Sequence, residues 1–195
     1  MRYSTDHKAE TRSRVLQEAA REIRAKGPDN LAVARVMKRA GLTHGGFYSH
    51  FASKDALVGE AIGIVFEDAR HLAHGLGEGD DPRTALLGYI GFYLSRAHRD
   101  ARERGCPLPA LSGDLARSTP EARERFAVGV AALTARLSAA LAALGIAHPA
   151  AEGSAMLSQM VGAVALARSV EGAASDAILA DAKASLIARF GLDAA

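Results

Sequence analysis

Along nearly the whole chain apolar residues recur at three- and four-residue steps, and no sustained two-residue alternation interrupts them. That pattern predicts helix after helix and no sheet. Val15, Ala19 and Ile23, flanked by Leu16 and Ala20, predict a first helix over about 8–26, stopped by Gly27 and Pro28. Val33, Val36 and Met37 predict a second over about 32–40, which Gly41 breaks. A third, short helix is expected to begin at Thr43 as N-cap and to run through Phe51. Ser53 is expected to cap a fourth, over about 54–74. The glycine- and acid-rich stretch 74–82 is the clearest boundary in the chain. After it, Leu86, Ile90, Tyr93, Leu94 and Ala97 form the stripe of a fifth helix, and a short helix is expected between two breaks after Cys106. Thr119 as N-cap and Pro120 at the first helical position open a long helix through Leu144, buried along Phe126, Val130, Leu133, Leu137, Leu141 and Leu144. The last two helices are expected over about 150–171 and 175–190.

Composition narrows the class. The 195 residues are 49% hydrophobic, enough for a sizeable core, without eighteen consecutive apolar residues or an apolar leader, so the expectation is a cytoplasmic protein with no membrane partner. Cys106 is the sole cysteine, which excludes an internal disulfide and limits any zinc site to one thiolate per chain. The net charge of +2 is unevenly spread: residues 1–60 hold eleven Lys or Arg against seven acids. This excess suits a polyanion, though a solvated helix surface fits the charge equally well. The sequence offers no His-Glu-x-x-His, no phosphate loop, no Gly-x-Ser-x-Gly and no dinucleotide turn, so neither enzyme nor cofactor is expected. His71 and His74, three apart on one helix, lack further ligands nearby in sequence, and no metal site is expected.

The stretch "AGLTHGGFYSHFASKDAL", residues 40–57, carries the sharpest signal. Two short helices flank the three residues Gly41-Leu42-Thr43, the layout of a helix-turn-helix. Leu42, Phe47 and Phe51 are expected to face the core, leaving His44, Gly45, Ser49 and the edge of Tyr48 outward. Glycines in a helix cost roughly 1 kcal/mol each against alanine, somewhat less near an N-terminus, so the pair Gly45-Gly46 needs an offsetting purpose. Close packing of two helices is one such purpose. Close approach of main chain to a DNA groove is the other.

With Ala40, Gly41, Thr43, Gly45, Tyr48, His50, Phe51, Ser53, Lys54 and Leu57 in register, this stretch resembles the DNA-binding domain of the TetR family of bacterial repressors. Met37 departs from that pattern, standing where the family has a small residue. The resemblance implies an all-α fold: a three-helix DNA-binding domain over 1–52, joined through a fourth helix to a helical ligand-binding and dimerisation domain over 53–195. It implies Thr43, His44, Gly45, Gly46 and Ser49 toward bases, Tyr48, His50 and Lys54 on phosphates, and Arg12, Arg35 or Lys38 within reach of the DNA backbone.

A single such unit reads too little sequence, so a homodimer on a near-palindromic operator is expected, joined through the last two helices. Small residues between 153 and 167 (Ser154, Ala155, Ser158, Gly162, Ala163, Ala165) and the stripe Ile178, Ala182, Leu186, Phe190 are the candidate surfaces; burial within one chain is the alternative. Phe66, Tyr89, Phe92, Tyr93, Phe126, Met156 and Met160 are candidate walls for a small-molecule effector, or plain core. Cys106, in a Gly-Pro break flanked by Arg102 and Arg104, is a candidate exposed, low-pKa sensor of electrophiles, or else an unreactive thiol at a helix end. A helical adaptor that binds protein and no DNA is the remaining class.

Overall fold

A computed structural model describes residues 2–69, 73, 76 and 81–193. Among these, nine α-helices and one 3₁₀ helix occur and no strand does. In chain order they are α1 (Arg2–Lys26), α2 (Val33–Arg39), the 3₁₀ helix His44–Ser49, α3 (Lys54–Ala69), α4 (Pro82–Tyr93), α5 (Arg96–Asp100), α6 (Leu108–Leu115), α7 (Pro120–Ala143), α8 (Pro149–Ala167) and α9 (Gly172–Arg189). Most of the boundary expected at 74–82, and both His71 and His74, lie outside the described residues.

The helix ends follow local chemistry. α1 stops where the Gly27 N–H returns to the Ile23 carbonyl (2.8 Å) at a φ of +81°, a conformation glycine adopts without a Cβ penalty. Ser53 Oγ accepts the Ala56 N–H at 3.0 Å and Thr119 Oγ1 accepts the Ala122 N–H at 3.3 Å, as their sequence positions predict. The expected fifth helix is instead two. Ser95 Oγ accepts the His98 N–H (3.1 Å) and starts α5 as a new helix, and the change of direction exposes Ala97 and buries His98 in its place.

The chain divides into two compact units. The first comprises residues 1–68 and 110–127, wider than the expected 1–52 because α3 and parts of α6 and α7 share its core. The predicted α1 stripe, Val15 to Ile23, is buried there together with Val36, Met37, Phe47, Phe51, Leu57, Ile62, Leu111, Leu115 and Ala122. The second comprises 69–109 and 128–195, in which α8 and α9 pack along each other. Gly153 of α8 lies so close to α7 that a Cβ there would sit 2.9 Å from the Ser138 amide nitrogen. Ala163, one of the small residues expected at a dimer surface, is buried inside the chain. Leu186 and Phe190 are buried in it as well. α7 alone among the described helices is long and apolar enough to cross a bilayer, by length and composition only, and it buries Leu137, Ala140 and Leu141 in the second unit.

Candidate nucleic-acid interface

The proposed reading surface begins with a hydrophobic brace. Phe47 and Phe51 are buried, their rings stacked with centroids 5.7 Å apart, and Leu42 packs partly buried against the same core. Phe47 pins one face of the 3₁₀ helix inward, and period forces the rest outward: Thr43, His44, Gly45, Tyr48 and Ser49 are exposed, and Gly46 is half-exposed. Tyr48 is 73% exposed, its ring set edge-on against Phe47 at 5.1 Å. An exposed aromatic ring at that level is an apolar body with a hydroxyl free to donate, a form suited to phosphate.

Two local expectations fail. Thr43 occupies the N-cap position, but its side chain makes no capping hydrogen bond. The segment is also 3₁₀ rather than α, with the Gly46 N–H on the Thr43 carbonyl at 3.1 Å and the His50 N–H on the Phe47 carbonyl at 2.9 Å. Six residues that include two glycines supply too little propensity to propagate an α-helix, and the tighter turn satisfies the amides instead.

The glycines themselves are the informative part. Neither has a positive φ, and a Cβ added at Gly45 would meet nothing within 4 Å. At Gly46 it would meet only the Met37 methyl at 3.8 Å and Thr43 Oγ1 at 3.9 Å, ordinary contacts. Close packing between helices therefore does not require either glycine. Met37, the departure from the family pattern, is fully buried and accommodated beneath this turn.

The basic residues sort into two sets. Lys38 is exposed on α2, and Lys54 reaches from the start of α3 to donate to the Asp29 carbonyl at 2.9 Å, holding its ammonium beside the α1–α2 loop. His50 is half-exposed, with Nδ1 buried and unpartnered. Arg12 and Arg35, expected near DNA, are engaged within the protein. Arg12 forks onto Glu60 (2.5 and 2.6 Å), lies 4.7 Å over the Phe51 ring and donates to the His50 carbonyl. It clasps α1, α3 and the end of the turn together. Arg35 pairs with Glu22, whose side chain is fully buried, and Arg39 approaches the same carboxylate at 3.8 Å. Burial alone would raise the Glu22 pKa, but hydrogen bonds from Arg35 and the Ala32 amide, with the charges of Arg35 and Lys26, outweigh it and hold the carboxyl below its ordinary range. In sequence Glu22 is one acid among seven; only its place beside Ile23 on the buried stripe hints at this role.

Residues 15–61 match the profile of the bacterial regulatory proteins of the tetR family. Over this stretch the chain is similar to that family's regulators. Over 67 residues it is 36% identical to the uncharacterized HTH-type transcriptional regulator YdgC of Bacillus subtilis, a stretch that spans about a third, 34%, of that protein and of this chain. Among solved structures, reduced NemR of E. coli aligns with a TM-score of 0.79 at 21% identity, covering 91% of this chain and 95% of its own. A TetR regulator of Chloroflexus aurantiacus aligns at 0.77 and 24% identity, covering 95% and 96%. At these identities the likeness shows the fold alone.

The expected effector residues are divided between the units. Phe66 and Phe126 meet edge-on at 5.6 Å on the margin of the first core. In the second, Tyr89, Tyr93, Met156 and Met160 are buried and Phe92 is 40% exposed. Cys106, read from the sequence as either an exposed sensor or an unreactive thiol at a helix end, is buried. The loop containing it folds under because its N–H donates to His98 Nε2 at 2.8 Å, while the other ring nitrogen, Nδ1, meets the Tyr93 carbonyl at 2.7 Å. Gly105 permits that fold, since a Cβ there would stand 3.0 Å from both the Ala101 carbonyl and His98 Nε2. Burial lowers the His98 pKa and raises those of Tyr89 and Tyr93, so the second unit holds a neutral polar cluster.

Proposed function

We propose that this chain is a DNA-binding transcriptional regulator of the TetR type, a homodimeric repressor of a near-palindromic operator, released by a small molecule or an electrophile. The observation that carries the reading is the glycine pair: two small residues on an exposed surface, with space around them and no packing role, leave main chain free to press into a major groove. Thr43, His44, Gly45, Gly46 and Ser49 take the base edges. Tyr48, His50, Lys54 and Lys38 take the phosphates. Arg12 and Arg35 position the helices that carry them.

In functional terms residues 1–52 form the reading head, and residues 53–195 dimerise and take the effector. Support for pairing through α8 and α9 comes from the residues those helices leave outward: Ser154, Ser158 and Leu166 on α8, and Ala173, Ala177, Ala180, Ala184 and Ala188 on α9. Leu166 is 61% exposed, a large apolar side chain that a two-fold partner would cover. The buried cluster of Tyr89, Tyr93, Cys106, Met156 and Met160 is the proposed effector site. To release DNA, an effector must bind one spacing of the two reading heads better than the other.

Selection of binding sites from random duplex DNA tests the function. An enriched inverted repeat, shifted by the purified protein and released by a screened compound or by alkylation of Cys106, is the expected result. Failure to bind any duplex at low salt would favour a protein adaptor instead.

A further inference from the structure

Within the second unit, a cleft of about 350 Å³ opens where the end of α5, the end of α8 and the start of α9 meet. Three arginines line it, and their carboxylate partners are unevenly shared. Arg99 is fully engaged: its guanidinium bonds both oxygens of Asp100 (2.7 and 3.1 Å), one of Asp176 (2.9 Å) and the Ser175 hydroxyl (2.8 Å). Arg96 takes the other oxygen of Asp176 at 2.6 Å, so both aspartates of the cleft are consumed.

Arg102 and Arg168 have no carboxylate within ion-pair distance among the described residues. Their hydrogen bonds go to main-chain carbonyls, Arg102 to Arg168 at 3.3 Å, and Arg168 to Arg99 at 2.9 Å and His98 at 3.2 Å. Arg168 Nη1 is buried and has no partner at all. Burial and the neighbouring charge of Arg102 both lower the Arg168 pKa, and the more distant charge of Asp100, already bonded to Arg99, offsets them only in part. The start of α9 lines the same cleft: Glu171 and Gly172 contribute to it, and Glu171 at the N-cap supplies no side-chain cap, so amide donors and the positive end of an eighteen-residue helix add to the two guanidiniums. Ala167 and Val170 give it an apolar wall.

We infer that this cleft binds a small organic acid, its carboxylate on Arg102 and Arg168 and its hydrocarbon against Val170. Guanidinium forks match a carboxylate's two oxygens, and neither Arg102 nor Arg168 has an acid within ion-pair distance among the described residues to compete for them. The apolar wall and a volume well beyond one inorganic ion argue for a hydrocarbon body on the anion. Glu171, exposed at the rim, is the remaining negative group and selects against multiply charged ligands. The site is independent of the DNA-reading surface and stands or fails without it.

The test is calorimetric titration and thermal shift on the full chain with benzoate and with inorganic phosphate as probes, chloride holding ionic strength constant. Benzoate is expected to bind saturably and raise Tm, with at least tenfold weaker binding in Arg102→Ala, whose exposed side chain is removable without disturbing the core, and weaker binding in Arg168→Lys, which keeps the charge and loses the fork. Benzoate indistinguishable from chloride, or binding undiminished in Arg102→Ala, overturns the inference. Phosphate binding more tightly than benzoate overturns the organic-acid assignment.

Discussion

Gly45 and Gly46 separate folding from function at the scale of single residues. Because a Cβ at Gly45 meets nothing within 4 Å, and one at Gly46 nothing closer than 3.8 Å, Gly45→Ala and Gly46→Ala are expected to leave the fold intact and to raise stability by roughly 0.5–1 kcal/mol. The same substitutions are expected to weaken operator binding about tenfold or more, about 1.4 kcal/mol. Chemical denaturation and duplex titration on one preparation give both numbers, and a loss of stability would return the glycines to a packing role. Side chains on that surface divide by what they touch. Lys54→Ala is expected to weaken binding to all duplexes and to flatten the dependence on salt, whereas His44→Ala relaxes preference at one operator position. Titrations on matched and scrambled duplexes at several salt concentrations separate them, and identical behaviour of the two variants counts against the assignment.

Between elements, ionic clasps decide how the short helices are held. Arg12 joins α1 to α3 through Glu60 with both side chains about one-third exposed, at 36% and 33%. Arg12→Ala is therefore expected to lower stability by about 1 kcal/mol while leaving the salt dependence of DNA binding nearly unchanged. A salt slope reduced as much as in Lys54→Ala would put Arg12 on phosphate after all. Glu22 ties α1 to α2 more deeply. Its folded pKa lies below the ordinary 4.5, so the unfolded chain takes up the proton first as pH falls; the carboxylate's contribution is complete above about 4.5 and is lost through the folded value below it. Glu22→Gln is expected to cost about 1–3 kcal/mol near neutrality, with the gap from the parent closing in acid. Unfolding curves from pH 7 to pH 3 read this directly, and a constant gap would exclude the linkage.

For the molecule as a whole, the proposed dimer predicts that disrupting the outward faces of α8 and α9 abolishes operator binding without touching the reading head. Leu166→Glu, at a side chain 61% exposed in the single chain, is expected to yield a folded monomer with at least tenfold weaker affinity for an inverted repeat and little change on a half-site. Light scattering and duplex titration check both parts, and an unaltered dimer would move the interface elsewhere.

Helical class, the α1 stripe, the caps at Ser53 and Thr119 and the inward pair Phe47 and Phe51 were all legible in the sequence, because periodicity, cap chemistry and local turn residues act over a few positions. So was the TetR resemblance of residues 40–57, since a motif carried by neighbouring residues needs no partner distant in the chain. What only the tertiary structure decided depends on partners distant in the chain. The expected continuous stripe through Ala97 yields to a Ser95 cap once His98 is needed beneath Cys106, and that same fold buries a thiol whose exposure the sequence left open. Arg12 finds Glu60 forty-eight positions away, and Arg35 finds Glu22 thirteen away. Charge on a chain reports only what a residue can pair with; the pairing itself is set when packing brings one helix against another.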